Sequence, residues 1–114
     1  MYTFSPYVIV GMNNYYSVDI IISKICKYYD VEFAQLLKKN RKQTFVKPRQ
    51  MICYFLRKKT NLTLKEIGYV FKQDHTTAMH NINLIEDFIT INDEITLNTI
   101  KVINELFIIR NNIK

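Results

Sequence analysis

Glycine and proline are nearly missing from this chain, with two of each in 114 residues. All-β folds need many tight turns, and tight turns need those residues, so an all-α protein is expected. Cysteine is equally sparse. Cys26 and Cys53 stand far apart, with no Cys-x-x-Cys and no matching histidine pair. That disfavours structural zinc and favours two buried, reduced thiols in a cytosolic setting. No stretch reaches the roughly 18 consecutive apolar residues that a spanning helix requires. The N-terminus Met1-Tyr2-Thr3-Phe4-Ser5-Pro6 has no positive charge ahead of an apolar run, so neither a membrane span nor a secretory signal is expected.

Hydrophobic residues make up 48% and charged residues 23%, the balance of a globular chain rather than a disordered one. The length suits one domain with a single modest core. Residues 1–16 differ in kind. They are aromatic, β-branched and nearly uncharged, and are expected to form an arm that packs on the body or on another copy; residues 17–114 are expected to form one helical domain. Net charge is +6, unevenly spread. Lys24 to Lys72 holds 13 basic and 3 acidic residues, whereas Gln73 to Lys114 holds 3 basic and 6 acidic ones. A basic half beside an acidic half suits a surface that meets a polyanion on one side, although a solvated lysine-rich face would give the same composition.

Apolar spacing predicts a bundle of about five to six helices. Ile21, Ile25, Tyr28 and Tyr29 form one helical stripe, broken by Asp30. Val31 to Lys39 reads as a short helix with Phe33, Leu36 and Leu37 inward, and residues 40–44 as a basic loop. Pro48 suits the first position of the next helix, where a missing N–H costs nothing. That helix carries Met51, Ile52, Phe55 and Leu56 on one side. Thr63-Leu64-Lys65-Glu66 is a capping box, and Leu64, Ile67, Gly68 and Phe71 make the stripe of the helix it opens. Gly68 costs about 1 kcal/mol mid-helix relative to alanine, so a neighbouring helix is expected to approach it closely. After the short connection Lys72-Gln73, Asp74 can N-cap a helix carrying Ala78, Ile82, Ile85 and Ile89. A last helix spans about Asp93 to Arg110.

Two short helices joined by a tight turn, at about residues 63–89, match the helix-turn-helix pattern, whose second helix enters the DNA major groove N-terminus first. Asp74, His75, Thr76 and Thr77 are then the candidates for touching base edges. A threonine can pair with donors or acceptors and pack on a thymine methyl, aspartate accepts from cytosine N4, and a histidine N–H suits a purine acceptor. Mere capping of a helix is the competing explanation for the same tetrapeptide. Arg49 and Gln50, in the expected first turn of the Pro48 helix, would meet phosphate through free N–H groups and the helix dipole. Lys42, Lys47, Arg57, Lys65 and Lys72 are further phosphate candidates. Arg41, with Lys42 beside it, can reach an adjacent minor groove narrowed by A·T pairs. Lys27, Lys58 and Lys59 read as solvated.

Three motifs occur in order: Pro48-Arg49-Gln50, Thr63-Leu64-Lys65-Glu66-Ile67-Gly68 and Asp74-His75-Thr76-Thr77. With Tyr28-Tyr29-Asp30-Val31 and Leu36-Leu37-Lys38-Lys39-Asn40-Arg41 upstream, the stretch from Val18 to Ile89 resembles the C-terminal DNA-binding domain of the DnaA family of bacterial replication initiators. The resemblance implies base reading by Asp74, His75, Thr76 and Thr77, minor-groove entry by Arg41, and phosphate contacts by Arg49 and Gln50. It also implies short, asymmetric, A·T-rich sites on duplex DNA. One departure concerns the turn. The family has a glycine after the phenylalanine and a basic residue before the D-H-T-T run, whereas this chain has Lys72-Gln73 in a connection one residue shorter. Lys72 or Gln73 must then take up the left-handed conformation, or the turn must differ.

The family's ATPase has no counterpart here. The only glycines are Gly11 and Gly68, so no G-x-x-x-x-G-K-[S/T] loop exists to cradle a nucleotide, and no cofactor is expected. A stand-alone reader of such sites could compete with, recruit or mimic the host initiator or other replication proteins, and the arm could serve self-association. An enzyme is disfavoured. His75 and His80 lie about 140° apart around a helix, so they do not converge on a metal. A transcriptional regulator using the same contacts, or a protein-interaction module that has lost DNA binding, are the alternatives.

Overall fold

The computed structural model describes residues 17–113, and side chains as far as Phe107. The expected arm, residues 1–16, lies outside the described residues. Six helices follow one another: α1 (Val18–Tyr29), α2 (Phe33–Leu36), α3 (Gln43–Lys59), α4 (Leu64–Val70), α5 (His75–Thr90) and α6 (Glu94–Ile113). Among the described residues there is no strand, and no helix is long and apolar enough to cross a membrane.

α3 is the central element and packs on α1, α2, α4 and α5, while α6 lies against α1 and α5. Its apolar side explains this. Ile52, Phe55 and Leu56 are essentially fully buried, together with Ile21 and Ile25 of α1, Ile67 of α4 and Ile85 of α5. Ile103 and Phe107 complete the interior from α6, and the Phe55 and Phe107 rings stack with centroids 6.2 Å apart. Each buried side chain of this size contributes on the order of 1.5–3 kcal/mol. Cys26 and Cys53 are free and buried, and burial pushes their thiols up to about 11 and about 12.

Local signals set most of the boundaries. Ser17 N-caps α1 by accepting from the Asp19 N–H, and Asp30 ends α1 in the left-handed conformation at φ 58°. The Val31 N–H thereby reaches the Cys26 carbonyl at 3.0 Å. At α4 the capping box is reciprocal. The Thr63 hydroxyl accepts from the Glu66 N–H at 3.1 Å, and a Glu66 carboxylate oxygen accepts from the Thr63 N–H at 2.8 Å.

Two expectations need correction. Helix α3 starts at Gln43, so Pro48 lies inside it rather than at its first position. The Lys42 carbonyl accepts from the N–H groups of both Phe45 and Val46 and opens the helix one turn early. The ring of Pro48 removes only the bond to Thr44, whose residue faces solvent. α2, in turn, is a single turn ending at Leu36, and Leu37 is exposed rather than inward.

Candidate nucleic-acid interface

The turn between α4 and α5 is built on Gly68. Its carbonyl accepts from the N–H groups of Phe71 and Gln73 at 3.0 and 2.9 Å. A Cβ at this position would meet the carbonyl oxygens of Asp74 and Gln73 at 2.6 and 2.8 Å. Close approach at Gly68 was expected from a neighbouring helix; it comes instead from the backbone that leads into α5. Lys72 takes the left-handed conformation, φ 57°, where the family pattern has glycine.

Asp74 then N-caps α5. One carboxylate oxygen accepts from the Thr77 N–H at 3.0 Å and from the Thr77 hydroxyl at 3.1 Å. The Thr77 backbone N–H, helped by its hydroxyl, holds the Asp74 carboxyl below the usual aspartate value. Thr77 is half-buried, whereas His75 and Thr76 are exposed. The sequence candidates at the tip therefore separate into two pairs. Asp74 and Thr77 hold the helix start, and His75 and Thr76 stand open to an approaching surface. Ala78, Ile82 and Ile85 anchor the opposite side of α5 in the core, and Met79, His80 and Asn83 extend the open side.

A cleft of about 550 Å³ lies beside the turn. It is lined by Lys38, Lys39, Asn40 and Arg41 from the loop before α3, by Phe71, Lys72 and Gln73 from the turn, and by Arg49. Arg41 and Lys72 are thus brought together next to the residue that caps α5. Lys38, Lys39 and Gln73 belong to this constellation but were not among the candidates read from sequence. Their adjacency in the chain to Arg41 and Asp74 was the available signal.

Arg49 and Gln50 are not in a first helical turn, since α3 begins six residues before Arg49, and the argument for free N–H groups there does not hold. The Arg49 guanidinium donates to three carbonyls: Nε to Leu36 at 2.7 Å, one terminal nitrogen to Asn40 at 2.9 Å and the other to Lys38 at 2.6 Å. Desolvation pulls it below the usual arginine value. Gln50 is 8% exposed, and its Oε1 has no hydrogen-bond partner.

The remaining cations are dispersed. The Lys47 ammonium stands over the Phe88 ring, 4.8 Å from its centroid. Thirteen residues at 1.5 Å each put Phe88 roughly 20 Å along α5 from His75. Lys42 is exposed at the start of α3, Arg57 near the end of α3 and Lys65 in the first turn of α4. Lys58 and Lys59 are not simply solvated. Lys58 pairs with Glu86 at 3.2 Å, and Lys59 lies over the Phe55 and Phe107 rings. Among the described residues no group of three or more His, Cys, Asp or Glu could hold a metal ion.

A short helix, a glycine-based turn and a second helix with an open polar start beside cationic side chains define a helix-turn-helix, the DNA-binding class of all-α domain. The family described as the bacterial DnaA protein helix-turn-helix matches residues 18–85, and the chain belongs to it. The matched region is a DNA-binding rather than a catalytic domain. Among relatives, the chain is 35% identical over 78 residues to the chromosomal replication initiator protein DnaA of Desulfatibacillum aliphaticivorans, covering 68% of this chain and 17% of that protein. It is 32% identical over 80 residues to DnaA of Jannaschia sp. (strain CCS1), covering 69% and 17%. With DnaA 1 of Chlamydia pneumoniae it shares 39% identity over 66 residues, covering 58% and 14%. The match thus spans under a fifth of the length of these curated relatives.

Proposed function

We propose that this chain binds double-stranded DNA sequence-specifically, at short A·T-rich sites of the DnaA-box kind, and acts in the control of replication initiation at the bacterial nucleoid. The observation that carries the reading is the juxtaposition of the exposed start of α5 with the cleft that holds Arg41 and Lys72. His75 and Thr76 read base edges in the major groove, and Asp74 and Thr77 join them once a base pair meets the cap. Arg41 enters the neighbouring minor groove. Lys42, Lys65, Lys72 and Arg57 neutralise phosphates, with Lys47 and Gln50 the weakest candidates on placement.

Sharing sites with the host initiator makes that protein, or others at the origin, the natural functional counterpart. Self-association through residues 1–16 belongs to the same proposal. Selection of bound sequences from a random duplex library tests binding, strand form and site in one step. One A·T-rich consensus is the expected result. Enrichment of no sequence, with affinity that ignores salt, would refute the reading.

A further inference from the structure

The chain from Leu37 to Lys42 is neither helix nor strand, yet its backbone is held from one side. Carbonyls at alternate residues, Leu36, Lys38 and Asn40, all accept from Arg49, which lies 13, 11 and 9 residues away in sequence. The Leu36 carbonyl ends a one-turn helix and so lacks a helical partner of its own. All three guanidinium nitrogens are used. Only a planar fork reaches three diverging acceptors; an ammonium is a point charge on a flexible stem.

The clasp has a geometric consequence. Arg41 follows Asn40, whose carbonyl is tied to α3, and α3 packs on α5. The backbone at Arg41 is thereby referenced to the start of α5 across the cleft bounded by Lys72 and Gln73. A protein addressing two adjacent grooves of one duplex needs that spacing fixed before binding, because ordering a loop on contact weakens affinity.

We propose that Arg49 is a positioning residue for DNA recognition: it holds the 37–41 loop at a set distance from α5, so that Arg41 and the helix tip meet neighbouring grooves together. The inference rests on the DNA-binding reading above. It assigns Arg49 a role other than the phosphate contact expected from sequence.

The test uses the full chain with Arg49→Lys, Arg41→Ala and the double variant. Each is titrated on the selected duplex and on one whose A·T flank is changed to G·C. Arg49→Lys keeps the charge, so a phosphate contact would survive it. The expected result is a loss of about ten-fold on the selected duplex, similar to Arg41→Ala, and little loss on the altered flank. The double variant binds no worse than Arg41→Ala alone. Backbone order parameters of the free protein are high for residues 38–41 in the wild type and lower in Arg49→Lys, with α5 unchanged. Wild-type binding by Arg49→Lys, or losses that multiply in the double variant and fall equally on every duplex, would overturn the proposal. So would low order parameters at 38–41 in the wild type, a measurement that needs no variant to fold. A wild-type chain that selects no duplex fails at the earlier reading, and the order parameters measured without DNA separate the two failures.

Discussion

The α-carbon of Gly68 faces the carbonyl of Asp74 so closely that an added methyl carbon would sit 2.6 Å from that oxygen. Helix propensity favours alanine over glycine by about 1 kcal/mol. Packing opposes it, because the crowding atoms are backbone and cannot swing away. Gly68→Ala is expected to destabilise by about 1–3 kcal/mol net and to tilt the start of α5. Urea denaturation reads the first effect and duplex titration the second. A stabilised variant with unchanged affinity would mean that the turn yields freely.

Lys72 holds a left-handed backbone at φ 57°, a conformation that costs a side chain about 1–2 kcal/mol. Lys72→Gly is therefore expected to raise stability by about 0.5–1 kcal/mol after the entropy of the unfolded glycine is counted. The same change removes a cation from the cleft, so the slope of log affinity against log salt should fall by about 0.9. Thermal unfolding and salt titration of one variant thus move in opposite senses.

Exposed His75 and Thr76 should behave unlike the cations around them. His75→Ala or Thr76→Ala is expected to cost about 1–3 kcal/mol on the preferred duplex and little on scrambled DNA. Lys42→Ala and Lys65→Ala should weaken all duplexes together and flatten the salt dependence. Binding isotherms on the two duplexes at several salt concentrations decide the matter. Parallel behaviour of both groups would remove the distinction between base readers and backbone anchors.

Acid should loosen the start of α5. Hydrogen bonds from Thr77 hold the Asp74 carboxyl below 3.8, its ordinary value, and Thr96 does the same for Asp93 ahead of α6. For a carboxyl whose pKa is lowered by folding, the stabilisation is complete above the unfolded value and vanishes as pH falls through the folded one. Stability is thus expected to decline below about pH 3.8. Asp74→Asn keeps a capping oxygen without titrating and should flatten part of that decline in thermal unfolding. Asp93→Asn should do the same for the part contributed ahead of α6.

Sequence conveyed what is local. The Thr63–Glu66 box, the Asp74 cap, the left-handed residue at Lys72–Gln73 and the buried stripe of α5 depend on neighbours within a turn or two, and each is found. The start of α3 was misjudged because a proline signal competed with the Lys42 carbonyl and the half-buried Phe45 and Val46. The role of Arg49 was hidden for a different reason. Its acceptors are main-chain carbonyls 9 to 13 residues away, and nothing in side-chain identity marks where a carbonyl points. Lys47 and Lys58 show the same blindness, since an aromatic face or a carboxylate on a packed neighbour turns a cation away from solvent.

The family match stops at residue 85, but the interior does not. Ile103 is 0% exposed and Phe107 2%, with the latter ring stacked on Phe55, one turn before the end of α3. α6 acts as a keel beneath the helix-turn-helix. A fragment cut at the family boundary would leave a greasy trough along its underside, and such a surface seeks other copies before it seeks a nucleic acid.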